Sequence, residues 1–180
     1  MSADPFVVHV ARLRRQPGTR RHDAIVAPID LIEELRPGSF AESAVTAGAD
    51  VECEVDLESF PGGVMVSGTV AAPWSGICRR CAVDVGGHLV VGVRERFVDQ
   101  IELAGVPEDD EAYPIVDDRA DLAPMVRDAL LLELPLAPLC SEACRGLCPT
   151  CGADRNHEEC RCEAPTDPRW ASLDVLRSTS

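Results

Sequence analysis

In the segment Val51-Glu-Cys-Glu-Val-Asp-Leu-Glu-Ser59, apolar and acidic side chains alternate without a break, and this pattern sets the fold class. A period of two residues predicts a β-strand with one buried face and one solvated face. Cys53 lies on the apolar side, where we expect a small buried side chain rather than a metal ligand or a nucleophile. The opposite side predicts an acidic outer face made of Glu52, Glu54, Asp56 and Glu58.

The residues on both sides of this strand predict further strands. Pro61-Gly62-Gly63 predicts a turn, and the following residues from Val64 to Ala72 predict a second strand, so that the two form a hairpin. A long strand is predicted from Val83 to Ile101, with a bend or bulge at Gly86-Gly87. A short strand is predicted near the N-terminus, from Phe6 to Val10.

One well-formed helix is predicted from Leu122 to about Leu134, because Asp121 can cap it and Pro124 is tolerated in its first turn. Its apolar residues recur at helical spacing and form one face, which consists of Leu122, Met125, Val126, Ala129 and Leu130. Shorter helices are predicted from Ile29 to Leu35 and after Asp167-Pro168.

These elements predict an α+β fold, with a mostly antiparallel sheet, one main helix and a C-terminal zinc ribbon. The composition changes at Leu139, which we take as the boundary between two modules. Residues 1–138 form the predicted α+β main domain, which includes an arginine-rich N-terminal arm from Arg12 to Arg21. This stretch is interpreted as a solvated loop, and the alternative is a mobile arm for phosphate or an acidic partner. Residues 139–180 form the predicted cysteine-rich ribbon and a short C-terminal helix.

Eight of the nine cysteines form four close pairs. A spacing of two residues lets both thiolates of a pair reach one metal ion from a single turn of backbone. Four thiolates complete a closed tetrahedral site with Zn–S bonds of about 2.3 Å. The sequence therefore predicts two zinc ions, held by Cys78, Cys81, Cys140, Cys144, Cys148, Cys151, Cys160 and Cys162.

The pairs can be combined into two sites in more than one way. The preferred arrangement joins Cys148/Cys151 with Cys160/Cys162, and Cys78/Cys81 with Cys140/Cys144. The competing arrangement uses the four cysteines from Cys140 to Cys151 as one site, and leaves Cys78/Cys81 to pair with Cys160/Cys162 or to stay free. His157 is close enough in sequence to replace a cysteine, but a solvated loop histidine is the preferred interpretation because four sulfurs already suffice.

The chain is strongly acidic, with 17 basic side chains, all arginine, against 31 acidic ones and a formal net charge of −14. Each Zn²⁺ with four thiolates carries −2, so two sites would change the total to about −18. Bare nucleic acid should repel such a protein at long range. The acidic strand face and the loop residues Glu108, Asp109, Asp110 and Glu111 are therefore predicted to contact a basic partner.

Composition also predicts the compartment. No apolar run approaches 18 residues, so no membrane span is expected. The N-terminal residues have an apolar run before the basic residues, which is the reverse of a signal peptide. We expect a reducing cytoplasm, where cysteine pairs bind metals more often than they form disulfides.

A catalytic role is not expected. A catalytic zinc keeps one position open for water, whereas sulfurs here fill every position. A redox role for Cys78/Cys81 is disfavoured because strands, rather than a helix N-terminus, flank the pair. The sequence contains no phosphate-binding loop, no Gly-x-Ser-x-Gly motif and no catalytic histidine constellation, and we expect no small-molecule substrate.

The chain resembles the YceD family of bacterial large ribosomal RNA subunit accumulation proteins. The resemblance covers roughly residues 30–177 and depends on four places. They are Val51-Glu52-Cys53-Glu54; Cys78-Arg-Arg-Cys81; Asp121-Leu122 through Leu134-Pro135-Leu136; and Leu139 through Cys151-Gly152, followed by Cys160-Arg-Cys162 and Asp167-Pro168-Arg169.

This resemblance implies a role in the synthesis or processing of 23S ribosomal RNA during large-subunit biogenesis. Some family members lack the final ribbon but keep metal-type ligands at the first turn and after the helix, which supports joining Cys78/Cys81 with Cys140/Cys144. We expect a non-enzymatic factor that binds a basic ribosomal or assembly protein and contacts the 23S precursor indirectly. The alternatives are a zinc-dependent interaction module outside ribosome assembly, for example in transcription, and a thiol–disulfide protein.

Overall fold

Strands dominate the structure, as the alternating segment predicts. The computed structural model describes residues 4–32, 35, 43–99, 112–162 and 169. The strands are β1 (Val7–His9), β2 (Arg20–Pro28), β3 (Ser43–Val45), β4 (Asp50–Phe60), β5 (Gly63–Ile77), β6 (Asp84–Asp99), β7 (Tyr113–Val116) and β8 (Arg119–Asp121). The α-helices are α1 (Ala11–Arg14) and α2 (Ala123–Glu133), and Ile29–Leu31 forms a single 3-10 turn.

The strands form one mixed sheet rather than a plainly antiparallel one. Its order is β1-β8-β7-β6-β5-β4-β2. The short strand β3 pairs with the last part of β5, on the same edge as β4 and just beyond the first residues of β4. The pairing of β6 with β7 is parallel, whereas the other pairings are antiparallel. A parallel pair needs a long crossover connection, and residues 100–112 supply it. The sheet curls into a half-barrel, so the predicted fold class is confirmed in its sheet and main helix, and one parallel pairing makes the sheet mixed rather than plainly antiparallel.

The inner face of the sheet and one side of α2 form the core. Val51, Cys53, Val55 and Leu57 of β4 are all buried, as the alternation predicts. The predicted face of α2 is confirmed, because Leu122 before the helix and three residues within it are buried and Ala129 packs against them. The backbone N–H of Ala123 donates to Asp121 Oδ1 at 3.0 Å, and Pro124 occupies the first turn, so the helix begins where the sequence predicts.

The β5–β6 hairpin is longer and more regular than predicted. Its register runs without interruption from Gly63 opposite Val98 to Ile77 opposite Asp84. The predicted bulge at Gly86-Gly87 is therefore wrong. A Cβ atom at Gly87 would lie 2.8 Å from Trp74 Nε1, so this glycine makes room for the indole on the opposite strand.

The predicted arginine-rich loop corresponds to residues 15–19, a mostly exposed turn, whereas α1 and β2 take up the residues on either side of it. Arg14 in α1 forms ion pairs with Asp99 and with Asp118, the latter at 2.9 Å. Arg20 begins β2, where it pairs with Glu58 at 2.9 Å. These arginines are held by carboxylates of the chain itself, since the sequence places acidic residues on the neighbouring strands.

Several predictions fall outside the described residues. They include the C-terminal helix after Asp167, the loop carboxylates from Glu108 to Glu111, and part of the predicted helix from Ile29 to Leu35, of which Ile29–Leu31 is a 3-10 turn. The boundary between residues 138 and 139 stays a prediction. None of the helices in the described ranges has the length and hydrophobicity needed to cross a membrane.

Candidate metal centres

The first group of thiols, which we call site 1, consists of Cys78, Cys81, Cys140 and Cys144. Their four sulfurs lie within 4.8 Å of one another. Cys78 Sγ is 3.8 Å from Cys144 Sγ, and Cys81 Sγ is 3.6 Å from Cys140 Sγ. Four sulfurs at about 2.3 Å from a tetrahedral zinc would be about 3.8 Å apart. The spacing of the thiols in site 1 therefore fits such an ion.

The turn between β5 and β6 positions the first pair of site 1. Cys78 follows the last residue of β5, and its backbone N–H donates to the carbonyl of Val83 at 2.8 Å. Ala82 closes the turn with a positive φ of 58° and donates to the carbonyl of Cys78 at 2.9 Å. The long hairpin thus ends in a tight turn that presents both thiols on one side.

Arg80, inside this turn, connects it to the segment that supplies the second pair. Its Nη1 donates to the carbonyls of Cys144 and Glu142 at 2.9 and 3.1 Å, and its own carbonyl accepts from the N–H of Leu147 at 2.9 Å. A Cβ atom at Gly146, which has a φ of 69°, would lie 2.8 Å from the Arg80 carbonyl oxygen. Glycine is required there because the two backbones approach so closely.

The second group, site 2, consists of Cys148, Cys151, Cys160 and Cys162, whose sulfurs also lie within 4.8 Å of one another. Cys160 Sγ is 3.2 Å from Cys148 Sγ and 3.5 Å from Cys151 Sγ. The backbone N–H of Thr150 points at Cys148 Sγ at 3.4 Å, and the N–H of Cys162 points at Cys160 Sγ at 3.5 Å. Donors of this kind stabilise negative charge on sulfur.

Site 2 is held by a small turn rather than by the sheet. Gly152, with a φ of 76°, donates its N–H to the carbonyl of Cys148 at 2.9 Å, and Leu147 forms a β-bridge with Asp154. Cys151 and Cys162 are exposed, whereas Cys140 is the one exposed member of site 1. Site 2 is therefore the more open of the two groups.

Asn156 connects the two sites. Its side-chain Nδ2 lies 3.5 Å from Cys144 Sγ of site 1, and its Oδ1 accepts from the backbone N–H of Arg145 at 2.7 Å. Asn156 itself belongs to the loop between the two cysteine pairs of site 2. The ribbon therefore contributes a hydrogen bond to a sulfur of the neighbouring site.

The thiols of site 1 differ in acidity. Burial raises the pKa of Cys78, but backbone N–H groups, first that of Cys140, outweigh it and lower the pKa to about 6. At Cys81 the backbone N–H of Val83 lowers the pKa, but burial and the neighbouring sulfurs outweigh it and raise the pKa to about 12.

Site 2 repeats this contrast. The backbone N–H of Cys151, followed by that of Thr150, lowers the pKa of Cys148 to about 6. The side chain of Cys160, followed by that of Cys151, raises the pKa of Cys162 to about 12. In each site, an ionised thiolate thus raises the pKa of the thiol beside it. A bound cation is needed for all four sulfurs to ionise together.

The structure brings together the two groups of the preferred arrangement, and both groups could hold a metal ion. The competing arrangement, with four cysteines from Cys140 to Cys151 in one site, is not adopted. The His157 side chain is 81% exposed, and its Nε2 lies 3.9 Å from Asp154 Oδ2. Four soft thiolates without an open position are typical of a structural zinc site and leave no place for a reacting water.

The predicted acidic face on β4 divides into two halves. In the half toward the β4–β5 turn, Glu58 pairs with Arg20 at 2.9 Å and Asp56 Oδ1 lies 3.0 Å from His22 Nδ1. Side chains of β2 therefore already partner these two carboxylates. The predicted loop carboxylates Glu108, Asp109, Asp110 and Glu111 lie outside the described residues.

The other half of this face carries Glu52 and Glu54 without cations on the adjoining strands. Glu52 stands between Val26 on β2 and Ala71 on β5, and the next residue across the sheet is Val90 on β6. Val26 and Val90 are each 66% exposed. This half is thus a solvent-exposed surface that combines two carboxylates with apolar side chains.

Comparisons with known proteins identify similar chains. A family model described as large ribosomal RNA subunit accumulation protein YceD matches residues 66–177. A protein from Mycobacterium tuberculosis is 38% identical over 174 residues, which cover 95% of this chain and 81% of that relative. A protein from Mycobacterium leprae is 33% identical over 170 residues, which cover 94% of this chain and 76% of that relative. An Arabidopsis thaliana protein named large ribosomal RNA subunit accumulation protein YCED homolog 1, chloroplastic, is 34% identical over 71 residues, or 39% of this chain and 22% of the relative. No solved structure matches the chain.

Proposed function

The chain belongs to the YceD family of large ribosomal RNA subunit accumulation proteins, and from this membership we propose that it is a non-enzymatic, zinc-binding factor for the synthesis or processing of 23S ribosomal RNA and for large-subunit biogenesis. The match from residue 66 to residue 177 carries the proposal, because it includes both cysteine groups and α2. The family name supports a role in accumulation of the RNA and names no reaction.

The cysteine groups have a structural role in this proposal. Site 1 ties the β5–β6 turn to the segment after α2, and site 2 orders a loop-rich ribbon with few buried apolar side chains. A segment of this kind gains its folding free energy from the metal. The geometry offers both sites as scaffolds, and the contacts with the assembling ribosome are assigned to other surfaces.

We assign the contact with a basic protein to the half of the β4 face that contains Glu52 and Glu54. Large-subunit ribosomal proteins are strongly basic, and complementary charge raises the rate of encounter and selects partners. The exposed valines beside these carboxylates add apolar area that desolvates on binding. Asp56 and Glu58 contribute less, because Arg20 and His22 already face them.

The family role is tested by removing the chain from its host. Loss of the protein should lower the ratio of mature 23S to 16S RNA. In cells that carry a tagged chain instead, the chain should co-sediment with large-subunit precursors in a gradient. Normal 23S levels, with the chain absent from all precursors, would place its function outside ribosome assembly. A zinc-free protein whose Cys78/Cys81 pair cycles between thiol and disulfide would support the thiol–disulfide alternative instead.

The partner surface is tested with two double variants of equal charge change, assayed against isolated basic large-subunit proteins at physiological salt. Glu52→Arg with Glu54→Arg should abolish binding, whereas Asp56→Arg with Glu58→Arg on the same strand face should weaken it only a few-fold. Equal loss in both would show that net charge alone drives the contact. Direct RNA contact is tested by measuring the binding of 23S fragments to the wild type and to the double variant Arg12→Ala/Arg15→Ala. Tight RNA binding that survives in the double variant, with no basic protein partner found, would overturn the proposal that the chain contacts 23S RNA only indirectly.

A further inference from the structure

Among the residues that the structure describes, the second edge of β6 is unpaired along most of its length. One edge of β6 pairs with β5 over the whole hairpin, but β7 pairs only with the last part, from Phe97 to Asp99. From Asp84 to Arg94, no strand within the described ranges pairs with the other edge. A row of backbone N–H and C=O groups along such an edge is a template for another strand.

A groove lies beside this edge, between β6 and α2. Its volume is about 560 Å³, and its apolar walls include Val91 and Val93 from β6 and Met125, Ala129 and Leu132 from α2. Leu132 is 87% exposed, although it sits on the same helix as three core residues. A strand added beside β6 would direct every second side chain into this groove, against Leu132.

The rim of the groove is acidic. Glu95 on β6 and Asp128 and Glu133 on α2 line it, and none of the lining side chains in the described part of the chain is basic. Arg127 pairs with Asp128 at 2.8 Å and Tyr113 donates to the same carboxylate at 2.8 Å, so the charge of Asp128 is partly offset. An occupant with lysine or arginine beside its apolar residues would match this rim, whereas an acidic segment would be repelled.

We propose that the open edge of β6 and the groove beside α2 bind an extended segment of a partner protein, which adds a strand to the sheet and carries alternating apolar side chains flanked by lysine or arginine. Main-chain hydrogen bonds to β6 supply affinity in this mode, and the groove selects the side chains. This surface is separate from the Glu52/Glu54 face, and the inference does not depend on the proposed role in ribosome biogenesis.

The test starts from a phage-displayed library of random twelve-residue peptides, selected on the full chain and counter-selected on Leu132→Asp. The substituted side chain is exposed, so the fold should survive, and the added negative charge would by itself strengthen the binding of a basic peptide. Leu136→Asp is the matched control, because Leu136 is 80% exposed and does not line the groove. Synthetic versions of the selected peptides should bind Leu132→Asp at least tenfold more weakly, and Leu136→Asp as well as the wild type.

Strand addition is distinguished from other modes by backbone methylation of the selected peptide. N-methyl groups on alternate residues remove the N–H donors of one peptide edge, so one of the two methylated registers should lose binding and the other should keep it. Loss or retention in both registers, or selected peptides without basic residues, would overturn the proposal. Binding that appears only after residues 101–111 are replaced by a Gly-Ser segment of equal length would identify this chain's own connection as the occupant and would overturn the partner strand as well.

Discussion

At the scale of single residues, Arg80 holds the two parts of site 1 together. It lies between the cysteines of the first pair, where a single sequence suggests only a solvated turn residue. In the structure its guanidinium reaches two carbonyls of the segment that supplies Cys144. Asn156 acts similarly from the ribbon. Neither role was predicted, because a contact between segments some sixty residues apart depends on how the backbone returns and leaves no local pattern.

Arg80→Ala should loosen site 1 without removing a ligand. It deletes two side-chain hydrogen bonds, one of them exposed, so we expect the free energy of unfolding to fall by about 1 kcal/mol and zinc to be released faster to a chelator. Arg155→Ala, at an exposed arginine of the ribbon, is the control. Both are measured by urea denaturation and by a colorimetric zinc-release assay, and equal effects in the two variants would show that Arg80 has no special role.

Tyr113 and Asp128 form a second contact that the sequence does not reveal. Tyr113 Oη donates to Asp128 Oδ2 at 2.8 Å, which ties β7 to α2, and its ring stacks on Phe97 with centroids 5.1 Å apart. Burial raises the pKa of the Asp128 carboxyl, but the hydrogen bonds from Arg127 and Tyr113 outweigh it, so the net pKa is lowered. Burial, followed by the hydrogen bond to Asp128, raises the pKa of Tyr113.

Tyr113→Phe keeps the ring and removes this hydrogen bond. We expect the variant to lose about 1 kcal/mol of stability at pH 7. A carboxyl with a lowered pKa in the folded state contributes stability above its unfolded pKa and loses it as the pH falls through the folded value. The stability difference between wild type and variant should therefore shrink as the pH falls below about 4, and denaturation curves at several pH values measure it. A difference that stays constant down to pH 2.5 would show that Asp128 is not involved.

At the scale of secondary-structure elements, local patterns predict the strands and the helix but not their partners. The alternation of β4 and the apolar spacing of α2 are short-range signals, and both elements lie within a residue or two of the predicted bounds. The parallel pairing of β6 with β7 joins segments across a long connection, and no local periodicity in the sequence indicates that these two strands pair. Gly86-Gly87 was interpreted as a bulge because the space for Trp74, on the opposite strand, cannot be seen in the sequence.

The two cysteine groups should differ in what they stabilise. Cys78→Ser removes a buried thiol of site 1 at the end of the β5–β6 hairpin, so hydrogen exchange should accelerate in the β5–β6 turn and at the segment from Pro138 to Leu147. Cys148→Ser should accelerate exchange mainly in residues 148–162, with a small effect at Cys144 through Asn156. An unchanged β5–β6 turn in Cys78→Ser would contradict the role of site 1 as the link between sheet and ribbon.

At the scale of the whole molecule, site 1 joins the parts that composition separates. Two of its thiols come from the β5–β6 turn and two from beyond the predicted boundary at residue 139. The grouping of the pairs could be preferred from spacing and from the family resemblance, but the spacing alone left the competing arrangement open. What decides it is the sheet, because β5 and β6 place Cys78 and Cys81 beside the carbonyl of Pro138, which accepts from the N–H of Arg79 at 2.9 Å.

The whole chain should contain two zinc ions when it is purified without added metal. Elemental analysis should give about two per chain, one for each group of four thiols, and Cys53→Ser should leave this number unchanged. Cys53 is fully buried on the inner face of β4 and belongs to neither group of four thiols, so its sulfur lies apart from those that would share an ion. Cys148→Ser should retain about one zinc ion, held by the better-buried site 1. A wild-type value near one would mean that only one group binds zinc, and loss of both ions in Cys148→Ser would mean that the two sites form a single cooperative unit through Asn156.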